Sequence, residues 1–395
     1  MVNVLQVSPY PLDGDLIHGG IIRSRATRDF LNRSGFITQT LSISFAEENS
    51  LGKNQIFLDR EIKSNNEPIP SIFQDLELSL EAGQISKELL NEKLGSLEFE
   101  AIIFEQCWLF RPLHAYLSTR YPGAKLIYNS QNIELELKSE LCKQMKSEVD
   151  EIYQAALLSE VDKIERYAIS NADLSIATTE ADEVKIKKLG ARLTSVAGNG
   201  SDFGLQPHAN AQGEQTPFAI FVASGHPPNW QGFLECIGTN LNFLAPNFRL
   251  VLVGDVCHSA REEMQRISDP STFLEKAVLL DQVDESTLHH LLSTASIVTL
   301  PITTGGGSNL KTPEAIRTGK RIIATKTAMR GFEGWTNSPG VEVVDNPQNF
   351  RAALAKASSS TEHTYFERLD GRPYSLTWND QLMAIKMNLL EILSK

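Results

Sequence analysis

The chain has 395 residues, 41% of them hydrophobic and 22% charged, which is length for two or three domains and enough apolar material for a large core. Its 37 Lys and Arg against 49 Asp and Glu leave a formal net charge of −12, which disfavours a chain that wraps nucleic acid, because that task needs clustered cations to displace the counterions of phosphate. The opening MVNVLQVSPYPLDGD has no charged start followed by a long apolar stretch, and no apolar run reaches the ~18 residues of a membrane span. The expectation is a cytoplasmic protein without leader or span.

Short β-branched runs alternate with longer stretches of helical period. In chain order the runs are VNVLQVS, QTLSIS, AIIFEQ, KLIYNS, LSIATT and TSVAGN, then FAIFVAS, RLVLVG, EKAVLL, SIVTLP and KRIIAT. Most are apolar on both faces, as strands of a parallel sheet covered on both sides must be. Between them lie amphipathic segments such as GIIRSRATRDFLNRSG and AALLSEVDKIERYAISNAD, with Gly or Asn at their ends. The pattern is a βα repeat given twice. The stretch SDFGLQPHANAQGEQTP has neither period and reads as a linker. The reading is an N-terminal Rossmann-like domain over 1–203, a linker over 204–217, a second such domain over 218–375, and a final helix within 376–395. Ligands of doubly wound sheets bind beyond the carboxyl ends of the strands, so the two domains are expected to face each other across a cleft. The polar stretch FAEENSLGKNQIFLDREIKSNNEPIPSIF is read as an insertion lying over the first domain. Cys107, Cys142, Cys236 and Cys257 are too widely spaced for a zinc motif and too few for a disulfide framework, so buried reduced thiols are expected.

The most informative stretch is PITTGGGSNLKTPEA, residues 301–315. It follows the strand SIVTLP, where three glycines permit positive φ and let free N–H groups approach an anion. It is not the phosphate loop of nucleotide triphosphatases, since Lys311 follows Leu310 and not a glycine, and HGG at 18–20 does not complete a dinucleotide fingerprint. Lys311 is suited to neutralising a diphosphate, and Glu314 to accepting two hydrogen bonds from vicinal hydroxyls of a ribose or sugar. TPE also reads as a helix start, with Thr312 as cap and Pro313 at the first helical position.

These residues resemble the donor-site segment of retaining glycosyltransferases of the family 4 type, which have the two-domain GT-B fold. The likeness continues in order: HGGIIRSRATRDFLNRSGF is similar to the family's glycine loop and first helix, KLIYNSQNIELE to its Asp-Ser-His-Asn-Val-Glu segment, and FVASGHPPNWQGF to the start of its donor domain. WNDQLMAIKMNLLEIL resembles the helix that crosses back to the first domain. The resemblance implies that Gly19 and Gly20 face donor phosphates or acceptor, that Gly305, Gly306, Gly307, Ser308, Asn309 and Leu310 form the diphosphate loop, and that Glu314 holds the ribose. Lys311 matches a lysine of one branch of the family, His226 is placed as a donor contact, and Gln131 stands where the family has a sugar-contacting histidine. Gly306 occupies the position of the first acid of the family's Glu-x7-Glu pattern, and the Arg/Lys pair expected after the first strand of the donor domain is replaced by SGHPPNWQG.

The implied activity is transfer of a sugar from a nucleotide-diphospho-sugar to a saccharide, lipid-linked or other hydroxyl acceptor, with retention. It would serve cell-surface polysaccharide or glycoconjugate synthesis, without a metal or a cofactor beyond the donor itself. Such chemistry rests on stabilising charge on the departing diphosphate, for which the 305–309 amides, Lys311 and Arg23 are the candidates. Gln131 is suited to bonding a sugar hydroxyl but not to acid–base work. Among other residues, Trp108 and His114 are expected to pack, His289 and His290 to lie on an amphipathic helix, and Asn199 and Asp202 to fix a hinge. Two alternatives stay open: a catalytically silent binding subunit, and a nucleotide-sugar epimerase of the same fold. A transient seat at the inner face of a membrane is also left open, and the oligomeric state is not specified.

Overall fold

The structure is a computed structural model describing residues 2–14, 18–45, 54–58, 69–144, 150–203, 216–360 and 375–394. The chain divides into two units, Met1–Gly198 with Gln381–Lys395, and Asn199–Asp380. Most of the expected linker, 204–215, lies outside the described residues.

The first unit is built on a seven-stranded parallel sheet. Its strands are β1 Asn3–Ser8, β2 Ile37–Phe45, β3 Gln55–Leu58, β4 Ala101–Glu105, β5 Lys125–Asn129, β6 Leu174–Ala177 and β7 Thr194–Val196, in the order β3-β2-β1-β4-β5-β6-β7. The register sets Val4 beside both Thr38 and Ala101. β4 is buried along its whole length, which is why AIIFE shows no alternation. Helices Gly19–Arg33, Phe110–Arg120 and Glu151–Asn171 turn apolar stripes onto the sheet, and the core includes Phe30, Phe104, Phe110, Ile164 and Ile169. Each such fully buried side chain contributes on the order of 1.5–3 kcal/mol relative to exposure.

The second unit repeats the scheme with β8 Phe218–Val222, β9 Arg249–Val253, β10 Ala277–Leu280, β11 Ile297–Leu300, β12 Arg321–Thr325 and β13 Val341–Val344, in the order β10-β9-β8-β11-β12-β13. In both sheets the strand order reverses beside the first strand of the unit, between β1 and β4 and between β8 and β11. Loops leaving adjacent strands at such a reversal diverge and open a crevice. In the second unit these are the loop holding His226 and the glycine loop.

Two strands escaped the sequence reading. β3 lies inside the stretch read as an insertion over the first domain, and it pairs with Ser42–Phe45 as the sheet's edge. Of the rest of that stretch, 46–53 and 59–68 lie outside the described residues, and its end forms a short helix, Ser71–Phe73, with Phe73 buried. β13 pairs with Ile322–Thr325 at the other sheet's edge. The last helix, Trp378–Leu393, rejoins the first unit: Asn388 Nδ2 donates to Ser195 Oγ at 3.0 Å. All four cysteines are free and buried, and Trp108 is fully buried in the core. His114 is half-buried and hydrogen-bonds the Tyr167 hydroxyl at 2.8 Å.

Candidate functional site

In the second unit the glycine loop runs from Pro301 to the helix Lys311–Arg317. Gly305 has φ +122° and Gly307 φ +58°, a region that L side chains enter at a cost of about 1–2 kcal/mol. The triplet is therefore required locally as a turn, whatever else it does. The turn is anchored from behind: Thr325 and Thr327 hydroxyls donate to the carbonyls of Ile302 and Thr303, and Asn199 Nδ2 donates to the Ser308 carbonyl at 2.9 Å. Asn199, expected at a hinge, thus holds the loop. The hydroxyls of Thr303, Thr304 and Ser308 are buried without a hydrogen-bond partner. Such groups cost about 1–3 kcal/mol each when left unpaired, so three on one loop call for an explanation.

The helix start differs from the TPE reading. Asn309 Oδ1 accepts from the Lys311 amide at 3.1 Å, and the helix begins at Lys311, while the buried Thr312 hydroxyl donates to the Ala328 carbonyl at 2.6 Å. Asn309 takes the capping role because its side chain meets the free amide two residues on.

Lys311 is half-buried, and its Nζ donates to Asn229 Oδ1 at 3.1 Å. Asn229 is 8% exposed and is itself fixed, its Nδ2 donating to the carbonyl and hydroxyl of Ser224 at 3.0 and 3.1 Å. It sits on the helix Pro227–Cys236, for which His226 is the exposed N-cap residue without a side-chain cap. Burial pulls the Lys311 ammonium down to about 8 against the opposing pull of Glu314, and pushes the Glu314 carboxyl up to about 7 against Lys311. Both are groups whose charge is under-solvated, a cost that an added charged or hydrogen-bonding partner would relieve. The guanidinium of Arg330 comes within 3.8 Å of where a Cβ at Gly305 would lie, adding a second cation to the loop. Sequence reasoning missed Asn229, Thr303, Thr304 and Arg330. The Pro-Pro-Asn helix start was a signal for the first, whereas nothing in spacing ties Arg330 to the glycines.

In the first unit, Gly19, Gly20, Arg23 and Gln131 come together. Gly19 and Gly20 open the helix Gly19–Arg33 after the exposed His18. A Cβ on Gly20 would lie 2.6 Å from Tyr10 Cε2. The Tyr10 ring therefore packs into the space that the missing Cβ of Gly20 leaves. The Tyr10 hydroxyl donates to Gln106 Oε1 at 2.7 Å, and His18 meets the Tyr10 ring edge-on at 4.5 Å. Gln106, directly after β4, has φ +64°, a strain of order 1–3 kcal/mol that clusters at functional strand ends. Gln131 Nε2 donates to Ser24 Oγ at 3.2 Å and to the Gly20 carbonyl at 3.4 Å.

Arg23 is 2% exposed and donates to the carbonyls of Ala197 at 2.7 Å and Gly198 at 3.0 Å. Burial lowers its guanidinium to about 10, with Glu105 opposing. Glu105 accepts from Gln6 Nε2 at 2.8 Å and Asn129 Nδ2 at 3.0 Å. Arg23 is thus a buried tie between the first helix and the end of β7. Among the described residues no three His, Cys, Asp or Glu side chains gather as a metal-ligand set, and no helix is long and apolar enough to cross a membrane.

Two parallel, doubly wound units with the final helix returned to the first define the GT-B fold. Solved structures similar to this chain over nearly its whole length include a sucrose-phosphate synthase from Thermosynechococcus elongatus, 17% identical at TM-score 0.65, with 100% of this chain and 95% of that chain covered. They also include the catalytic domain of starch synthase IV from Arabidopsis thaliana bound to ADP and acarbose, 13% identical at TM-score 0.66, with both chains covered in full. An Anabaena protein in complex with UDP and glucose is 14% identical at TM-score 0.61, with 98% of this chain and 100% of that chain covered. No protein-family model and no curated protein sequence matches the chain.

Proposed function

We propose that this protein is a glycosyltransferase that moves a hexosyl unit from a nucleotide-diphospho-sugar to a hydroxyl of a saccharide or lipid-linked acceptor, with retention and without a metal. The observation that carries the reading is the glycine loop: three buried unpaired hydroxyls, a positive-φ turn and two cations within one unit. A departing diphosphate needs fixed donors where its charge develops. The 305–309 amides and the Ser308 hydroxyl supply them, with Lys311 and Arg330 as counter-charges and Asn229 aiming Lys311. Glu314 accepts the ribose hydroxyls. In the first unit the Gln131 amide, braced by Ser24 and Gln106, is placed to bond a sugar or acceptor hydroxyl, and Tyr10 and His18 border it. Retention and a place in polysaccharide or glycoconjugate synthesis follow from the family resemblance. The UDP and ADP bound by similar structures make these the first nucleotides to try.

The test is thermal unfolding of the purified protein with UDP, ADP, GDP, dTDP and CMP, followed by donor turnover with the nucleotide that binds. A ligand at about 100 times its Kd adds roughly 2.7 kcal/mol of stability. Release of nucleoside diphosphate supports transfer, binding without turnover supports a silent subunit, and a changed sugar still joined to its nucleotide supports an epimerase. No shift with any nucleotide removes the reading.

A further inference from the structure

A second polar concavity lies in the first unit, reaching the segment after β1 and the start of β3. It has a volume of about 380 Å³ and is lined along the helix Gly19–Arg33, β2 and the start of β3. Thr38, Thr40 and Ser42 follow one face of β2, from the level of Val4 to that of Ser8 on β1, so the groove runs beside the sheet. Gln55, the first residue of β3, is 7% exposed, yet neither its amide nitrogen nor its amide oxygen has a hydrogen-bond partner. The Thr38 hydroxyl is buried and unpaired as well. A chain with no use for Gln55 here would lower its energy by replacing it with leucine, since an unpaired buried polar group costs about 1–3 kcal/mol.

The lining also specifies the ligand. Its two charged members, Asp13 and Arg28, already pair with each other at 2.9 Å, and Arg28 also meets Asp29 at 3.2 Å. An anion therefore meets no spare cation among the described lining residues, since Arg28 is already shared by two carboxylates. Among the described residues that line the groove none is aromatic, for a nucleobase to stack on, and none is apolar, for a lipid tail. What remains is a set of hydroxyls and an amide that offer donors and acceptors together, matching a neutral molecule that carries both on neighbouring carbons. The volume is at the lower end of small-molecule sites.

We propose that this groove is a second carbohydrate site, in which the Gln55 amide, level with Ser42, and the Thr38 hydroxyl, four residues apart along β2 and so about 13 Å apart, bind hydroxyls of different units of a neutral saccharide belonging to the acceptor chain. The inference deepens the proposed function and rests on it for the nature of the acceptor. Its role would be to hold a growing saccharide near the enzyme, raising the effective concentration of the acceptor end.

The experiment is saturation-transfer NMR on the full-length protein with saturating nucleotide, using maltoheptaose, cellohexaose and laminarihexaose as probes. At least one probe is expected to bind, with signal reduced at least fivefold in Gln55→Leu and in Thr38→Val and unchanged in Lys311→Met. The two groove variants are expected to keep the wild-type nucleotide-induced thermal shift, and Gln55→Leu a melting temperature at or above wild type. Absence of binding by all three probes, or binding equal in wild type and both groove variants, overturns the proposal and leaves the groove to ordered water. Loss of nucleotide binding in the wild type would instead be a failure of the glycosyltransferase reading, and it is read separately in the same samples.

Discussion

Replacing Lys311 by methionine keeps the length of the side chain and removes only its charge and donors. The ammonium is oriented by Asn229 at 3.1 Å and carries a pKa lowered to about 8, so it is pre-aimed and poorly solvated. A hydrogen bond to a charged group is worth about 1.5–3 kcal/mol, or about 10- to 150-fold in Kd at 1.4 kcal/mol per tenfold. Calorimetric titration of Lys311→Met with the preferred nucleoside diphosphate should therefore show weakening in that range. The pH dependence adds a sharper check. Below pH about 8 the free lysine is already charged and this group makes affinity flat. Above it, binding must take up a proton, because the bound anion raises the lysine's pKa, and affinity falls by up to tenfold per pH unit. Lys311→Arg keeps its charge throughout and should flatten that limb. Use of an intact nucleotide-sugar removes the titration of a terminal phosphate from the measurement. An unchanged Kd in Lys311→Met together with no fall above pH 8 in the wild type would refute the assignment of Lys311 to the diphosphate.

Glu314→Gln should weaken binding about tenfold for the ribonucleotide while leaving its 2′,3′-dideoxy analogue unaffected, since one carboxylate accepts two hydroxyl donors; equal losses for both ligands would remove Glu314 from the ribose. The same variant has a stability signature. A carboxyl held at about 7 when folded binds its proton more tightly than in the unfolded chain, so its contribution to stability falls as pH rises from about 4.5 to 7. Urea unfolding of Glu314→Gln should lack that component of the wild-type slope, and identical slopes would contradict the shift. Arg23→Met should cost about 3–5 kcal/mol, because it strips the cation from a buried Glu105. The loss should shrink as pH falls and Glu105, already held above its ordinary range by burial, takes a proton; a cost below about 1 kcal/mol at pH 8 would mean the guanidinium is dispensable. Gly20→Ala should destabilise by about 1–3 kcal/mol through its clash with Tyr10, and pairing it with Tyr10→Ala should recover part of that loss in a double-mutant cycle.

The parts of the fold that were legible in the sequence are those written in local periodicity. AIIFE and RLVLV are buried on both faces and therefore show unbroken apolar runs, and the βα alternation they belong to sets the sheet class. β3 and β13 were not legible. QIFL and VEVV are four-residue edge strands whose pairing on one side only leaves little apolar demand on them, so their sequences do not stand out from loops. The glycine loop was legible for a local reason, because positive φ at Gly305 and Gly307 is a property of the residues themselves.

In the first unit the surroundings of a residue depend on what lies across the fold. Arg23 looks like a free cation in sequence, yet the carbonyls it ties lie at Ala197 and Gly198, far along the chain. Gly20 sits in what resembles a ligand loop, yet it is glycine because Tyr10 lies over it. Thus the sequence by itself determined two parallel α/β units and an anion-suited turn after β11, since hydrophobic period and glycine conformation act over a few residues. Only the tertiary structure decided that Asn229 aims Lys311, that Arg330 joins the loop, that Arg23 is buried against the Ala197 and Gly198 carbonyls and that Gln55 lines a polar groove, because burial, pairing and orientation are set by neighbours distant in the chain.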